Sequence, residues 1–163
     1  MQRCVYGIGG KMYYHKFQTD LCSVILIGDE EGLRRIHLST DYDISGLIAN
    51  KKIFEEAEKQ LIEYFNGQRR HFDLKLNLVG TNFQKTVWQA LMDIPYGQTA
   101  SYKDIAVKLG KPTASRAVGM ANGKNPLPLV IPCHRIIGSG GKLTGYAFGL
   151  ELKEALLNLE NRL

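Results

Sequence analysis

Hydrophobic and polar positions follow two different rhythms along this chain. Residues 12–19 (MYYHKFQT) and 21–27 (LCSVILI) are rich in aromatic and β-branched side chains, the composition of extended strands. Gly28-Asp29-Glu30-Glu31-Gly32 reads as a turn, and Leu33 to Leu38 as a third strand that completes a meander. From Ile53 to Asn66 the rhythm changes. Phe54, Ala57, Leu61 and Phe65 recur at helical spacing, which predicts a helix that Gly67 can close.

The second half is mostly helical in pattern. Thr81 followed by Gln84 is a capping-box signature, opening a helix that aligns Phe83, Val87, Trp88 and Leu91 and stops at Pro95 and Gly97. Ser101 with Asp104 repeats the signature before a short helix that buries either Tyr102 or Ile105, Ala106 and Leu109, and ends at Gly110. Thr113 is placed to cap a third helix reaching about Asn122, and the connection of three to four residues gives the last two helices helix-turn-helix dimensions. A final helix, Leu150 to Leu159, turns Leu152, Ala155, Leu156 and Leu159 inward. The pattern predicts an α+β protein, with a small sheet-plus-helix unit over residues 1–80 and a helical unit over residues 81–163.

Composition adds little to this picture, but charge adds something. Of the 163 residues, 44% are hydrophobic and 23% charged, ordinary for a soluble globular chain. No apolar run is long enough to span a bilayer, and Met1–Lys11 has no signal-peptide core, so a cytoplasmic protein is expected. The net charge of +5 is uneven: Lys and Arg balance Asp and Glu 11 to 11 in residues 1–80 but exceed them 10 to 5 beyond. A basic half suits a polyanionic partner, although a generally basic soluble surface explains it as well. The third helix carries Ala114, Ser115, Ala117, Gly119 and Ala121, small residues that admit either a neighbouring helix or DNA, and Arg116 among them favours a partner outside the protein.

The three cysteines, Cys4, Cys22 and Cys133, are odd in number and widely spaced, which argues against a disulfide framework. Cys4 and Cys22 with His15 or His71 fit no common zinc spacing, so no metal and no other cofactor is expected. Cys22 lies in an apolar run and reads as a small buried thiol. Cys133 differs. It sits in Asn125-Pro-Leu-Pro-Leu-Val-Ile-Pro-Cys-His-Arg-Ile-Ile-Gly138, where Leu127 to Ile131 read as buried strand or extended chain and Pro132 restricts the backbone before the cysteine. Polar groups in an apolar frame are costly unless satisfied, which points to a function. A cysteine attacks as thiolate, so the site must lower the thiol pKa or supply a base. His134 is the obvious base, but adjacent side chains seldom face one another, so a bridging water is expected between them. Glu160 on the last helix is placed to hold the imidazole tautomer. Alone, a Cys-His dipeptide is a weak signal; the whole string is far more specific.

Residues 81–163 resemble the catalytic domain of the O6-alkylguanine-DNA alkyltransferases. The matching pieces are Phe83-Gln84 with Val87-Trp88, Ile94-Pro95-Tyr96-Gly97, Ser101-Tyr102, Ser115 to Gly119, Asn125-Pro126, Ile131 to Arg135, Gly145-Tyr146, and Leu156-Leu157 ahead of Glu160, all in the family's order and spacing. The strands-then-helix pattern of residues 1–80 is similar to the family's ribonuclease-H-like domain. The resemblance implies a winged-helix/helix-turn-helix domain that binds the minor groove of double-stranded DNA, flips the damaged nucleotide, and takes the alkyl group of O6-alkylguanine, or of O4-alkylthymine, onto Cys133 once. It implies His134 as water-linked base with Glu160 behind it, Asn125 as the brace of the cysteine turn, and Tyr102 as hydrogen-bond donor to the base and neighbour of its phosphate. Arg116 would fill the gap in the stack, Ala117 and Gly119 would lie along the DNA, and Tyr146 would wall the pocket. Arg135 and Lys153 join the substrate- and DNA-contacting set, and a monomer is expected in solution. Rival readings are a non-reacting alkylated-DNA-binding module, which would lack the acceptor cysteine, a Cys-His hydrolase, and a structural DNA-binding domain. One departure stands out: many relatives have two glycines after Tyr146-Ala147, where this chain has Phe148-Gly149. A phenyl ring at the rim of the pocket is expected to favour methyl over benzyl adducts.

Overall fold

A computed structural model describes residues 10–161. The readings made on Cys4 and on most of Met1–Lys11 lie outside the described residues. Three strands form the expected meander: β1 (Tyr13–Gln18), β2 (Ser23–Asp29) and β3 (Gly32–His37), each antiparallel to the next. β4 (Ile48–Ala49) adds to the free edge of β1 in parallel, giving the order β3-β2-β1-β4. Both β4 residues are exposed, so no alternation announced it; backbone bonds from Ile48 N to Met12 O (2.9 Å) and Asn50 N to Tyr14 O (3.0 Å) create it.

β2 is an unbroken apolar run because both of its faces are covered. Val24 and Leu26 enter the main core, while Ile25 and Ile27 join Met12 in a smaller cluster closed by Tyr42, Ile44 and Leu47. Where β3 begins, Gly32 is required twice over. Its φ is +143°, and a Cβ there would lie 2.7 Å from Lys75 O. That close approach lets the chain after the first helix stitch onto β3, through Leu33 N to Lys75 O (2.9 Å) and Asn77 N to Leu33 O (2.8 Å).

A 3-10 turn (Lys52–Phe54) leads into α1 (Glu55–Phe65). Its inward face ends in Tyr64 rather than the expected Phe65: Tyr64 lies one turn beyond Leu61 and is wholly buried, while Phe65 is half-buried. α2 (Asn82–Met92) and α3 (Tyr102–Lys108) open with complete capping boxes at Thr81/Gln84 and Ser101/Asp104. α4 (Ser115–Gly123) departs from expectation. Ala114, not Thr113, occupies its capping position, without a side-chain bond, so the link from α3 spans six residues, 109–114. Val118 and Ala121 face the core, and Trp88 Nε1 donates to Ala121 O at 2.9 Å, locking α2 to α4.

The stretch Leu127–Ile131 is a turn, not a strand: Leu129 has φ +78° and Ile131 N bonds to Leu127 O at 2.8 Å. Beyond it a 3-10 turn holds Cys133–Arg135, and β6 (Ile136–Ile137) pairs in parallel with β5 (Ala100–Ser101). α5 (Leu150–Glu160) buries Lys153, Leu156 and Glu160, with Leu152, Ala155 and Leu159 only half-buried, so the innermost stripe is two-thirds polar. One continuous core, from Val24 to Leu156, runs through both halves of the chain. Among the described residues no helix is long and apolar enough to cross a membrane. The Thr81 cap satisfies an otherwise unpaired amide at the start of α2, so Thr81→Ala is expected to lower unfolding free energy by about 1 kcal/mol, measured by urea denaturation.

Candidate active site

The cysteine is positioned by the turn before it. Asn125 Nδ2 donates to Ile131 O (2.7 Å) and its Oδ1 accepts from Leu127 N (2.9 Å), so one amide ties both ends of the Leu127–Ile131 turn. That bracing sustains the positive φ of Leu129, a conformation unfavourable for a branched residue. Cys133 N then bonds to Ile131 O at 2.7 Å, so the nucleophile shares its carbonyl anchor with Asn125.

Behind Cys133 lies a buried polar cluster. His134 is fully buried and its Nε2 is 2.7 Å from Glu160 Oε1. Since the carboxylate can only accept, Nε2 carries the proton and Nδ1 is left as an acceptor, with no hydrogen bond of its own in the structure. Arg135 is also buried. Its Nε donates to Glu160 Oε2 (2.9 Å), its Nη2 to Oε1 (2.9 Å) and its Nη1 to Ile94 O (2.7 Å). Tyr64 Oη donates to Glu160 Oε1 at 2.8 Å and stands 3.4 Å from His134 Nε2. Gly97 N completes the set, 3.4 Å from Oε2.

These contacts set the protonation states. Burial alone works against the Glu160 carboxylate, but hydrogen bonds and charge from His134 and Arg135 outweigh it and hold its pKa down at about 2. Burial lowers the His134 pKa despite the opposing pull of Glu160, which keeps the imidazole neutral. Burial pushes the Cys133 thiol up to about 11, against the stabilising influence of Asn125, Lys153 and Tyr146. The resting pair is therefore thiol and neutral imidazole. Of the two routes to a thiolate left open by the sequence, a depressed pKa and a nearby base, the structure supports the base.

Cys133 forms part of the wall of a cavity of about 310 Å³ that Tyr102, Gly119, Asn125, Tyr146 and Phe148 also line. Tyr102 and Gly119 are shared with a larger open groove, bordered by Lys103, Ser115, Arg116, Met120 and Ser139. Arg116 and Ala117 are exposed on α4, and Gly119 faces the Tyr102 ring, where an added Cβ would lie 3.7 Å away. The Tyr146 hydroxyl is buried without a hydrogen bond of normal geometry, yet lies close enough to the thiol for each to bias the other's proton. Phe148 stands edge-on to Tyr146 (5.9 Å between ring centroids) and to His37 from β3 (5.1 Å).

Arg135 and Lys153, expected in the substrate- and DNA-contacting set, are both engaged inside the protein. Arg135 is 6% exposed and its guanidinium is bonded to Glu160 and Ile94 O. Lys153 is fully buried, donates to Thr144 O (2.8 Å) and Gly145 O (3.4 Å) in the loop before Tyr146, and its charge favours the Cys133 thiolate. Tyr64 was missed, since nothing in the local pattern of α1 separates it from a core aromatic. Among the described residues no group of His, Cys, Asp or Glu is arranged to hold a metal ion.

Replacing Glu160 by Gln would leave the Arg135 charge buried and unpaired, so a loss of about 3–5 kcal/mol in unfolding free energy is expected, read by denaturant titration. Because the folded pKa lies below the unfolded one, Glu160 stabilises fully above about pH 4.5 and progressively less as pH falls towards 2. The variant should lose that part of the acid dependence.

Residues 12–78 match the family profile of the 6-O-methylguanine DNA methyltransferase ribonuclease-like domain, and residues 82–162 that of its DNA binding domain. A methylated-DNA–protein-cysteine methyltransferase of Methanosarcina barkeri is 52% identical, over 91% of this chain and 97% of its own. A constitutive one of Bacillus subtilis is 46% identical, over 91% and 94%. Among solved structures, an O6-methylguanine methyltransferase of Mycobacterium tuberculosis superposes with a TM-score of 0.85 at 42% identity, covering 92% of this chain and 93% of that one. The M. tuberculosis OGT protein in complex with DNA gives 0.86 at 42% identity, covering 91% and 92%. With both domain profiles matched in order and relatives of this identity along nearly its whole length, the chain belongs to the 6-O-methylguanine DNA methyltransferase family.

Proposed function

We propose that the protein repairs alkylated DNA by direct reversal, transferring the alkyl group of O6-alkylguanine to Cys133 in a single turnover. The observation that carries this is the placement of one nucleophile: Cys133 borders a cavity that shares Tyr102 and Gly119 with the groove beside α4. Damaged duplex lies along that groove. Ala117 and Gly119 let the α4 backbone come close to the minor groove, Arg116 fills the stack, and the flipped base enters the cavity at a cost of about a few kcal/mol in lost stacking and pairing. Tyr146 walls the base.

The chemistry is a displacement at carbon. The Cys133 proton passes through a water to His134 Nδ1, and Glu160 stabilises the imidazolium. The new bond joins Sγ to the alkyl carbon as the carbon–O6 bond breaks, and the leaving guanine takes a proton from Tyr102. Asn125 fixes the cysteine turn, and Lys153 fixes the loop carrying Tyr146. A thioether does not hydrolyse, so each molecule reacts once. O4-alkylthymine is a second, smaller substrate for the same cavity. We place this activity in the cytoplasm, in a monomer whose residues 1–80 support and residues 81–163 carry the reaction.

Incubation with an O6-methylguanine duplex is expected to add one methyl, about 14 Da, to the peptide containing Cys133, with no gain in Cys133→Ala. Intact-mass analysis reads this; tight binding at unchanged mass would select a binding module, and turnover beyond one equivalent a hydrolase. Phe148 lines the cavity, so O6-benzylguanine should react slowly and Phe148→Gly should speed it about 10-fold or more relative to methyl transfer. Equal benzyl rates in the two proteins would refute this role for the ring.

A further inference from the structure

The catalytic cluster draws one member from outside the segment that carries the nucleophile. Tyr64 sits at the C-terminal end of α1, in the ribonuclease-like part of the chain, separated from Glu160 by 96 positions in sequence. Its ring packs against Phe65, Phe72 and Tyr96, with centroids 5.6, 5.4 and 6.3 Å away. A phenylalanine would meet those contacts equally well. The hydroxyl does something else. It donates to the very Glu160 oxygen that receives His134 Nε2–H, at 2.8 Å, and lies 3.4 Å from that nitrogen.

We propose that Tyr64 is a positioning residue for the transfer reaction, through which the N-terminal half of the protein sets the basicity and the tautomer of His134. This rests on the function proposed above. A tyrosine has one proton to give. Giving it to Glu160 Oε1 turns the hydroxyl lone pairs towards His134, where only an Nε2–H can face them. The bond also draws charge from the carboxylate and so weakens its hold on an imidazolium proton. The 2.8 Å bond to a charged oxygen dominates over the long contact to nitrogen, so the net effect is to make His134 less basic. A proton-accepting imidazole is thereby kept ready at lower pH.

The other groups facing this cluster are accounted for. Arg135 pairs with Glu160 from the 3-10 turn, and Tyr96 lies between Arg135 (5.6 Å) and Arg70 (5.4 Å). Lys153 on α5 lowers the proton affinity of His134, as Arg135 does. Burial and the neighbouring carboxylate push the Tyr64 pKa well up, so the phenol keeps its proton throughout and acts only as a donor.

The test follows His134 directly. In the full-length protein, nitrogen NMR of His134 is titrated against pH, beside single-turnover methyl transfer from an O6-methylguanine duplex. In Tyr64→Phe, the His134 midpoint and the acid limb of the rate should both rise by about one pH unit. Site-specific 3-fluorotyrosine at position 64 keeps the ring and strengthens the donor, so it should move both downward; it also decides the matter if the phenylalanine variant folds poorly. Coincident titrations in all three proteins would overturn the proposal, whatever their stabilities. A shifted titration with no methyl transfer in any of them would support the pairing and overturn the transfer reading instead.

Discussion

The carboxylate at the last turn of α5 gathers donors from three separate parts of the chain. His134 and Arg135 reach it from the cysteine loop, Tyr64 from α1, and the Gly97 amide from the turn after α2. A buried carboxylate without partners would be untenable at neutral pH. With them it stays ionised, and it becomes the point at which the last helix, the reactive loop and the N-terminal half are held in one arrangement. Each donor depends on the others, because both oxygens are shared. The single core running through both halves gives this polar knot its rigid surroundings.

Around that knot, the fold spends local strain where the reaction needs a fixed geometry. Leu129 is held at positive φ by the Asn125 bonds, which ends the apolar run in a turn and delivers Cys133 at the cavity wall. The short β5–β6 pair then ties the chain just after Arg135 to the residue before Tyr102. The segments carrying Cys133 and Tyr102 are thus linked through two backbone registers rather than through a long loop. Pre-organisation of this kind contributes to rate by removing the need to assemble the site at each encounter.

The resting protonation state has a functional meaning. Burial keeps the thiol protonated and the imidazole neutral, so the cysteine is a poor target for casual electrophiles in solution. In the transfer proposed above, it becomes nucleophilic when a base occupies the cavity and the proton can move to His134. A protein that reacts only once gains from such restraint, since every stray reaction would consume a molecule.

By itself, the sequence determined the local elements and the identity of the chemistry. Runs of aromatic and β-branched residues gave the meander, helical spacing gave α1, and two capping boxes marked the starts of α2 and α3, because each of these depends on residues within a few positions of one another. The string from Asn125 to Arg135 singled out Cys133 and His134 as candidate nucleophile and base for the same reason. Tertiary structure decided what those side chains touch. It turned Leu127–Ile131 from the expected strand or extended chain into a braced turn, engaged Arg135 and Lys153 inside the protein, and made two exposed residues into β4. It also brought Tyr64 to Glu160 across 96 positions. A long polar side chain carries no mark of whether it will meet solvent, a phosphate or a buried partner; that is fixed only when distant segments close around it.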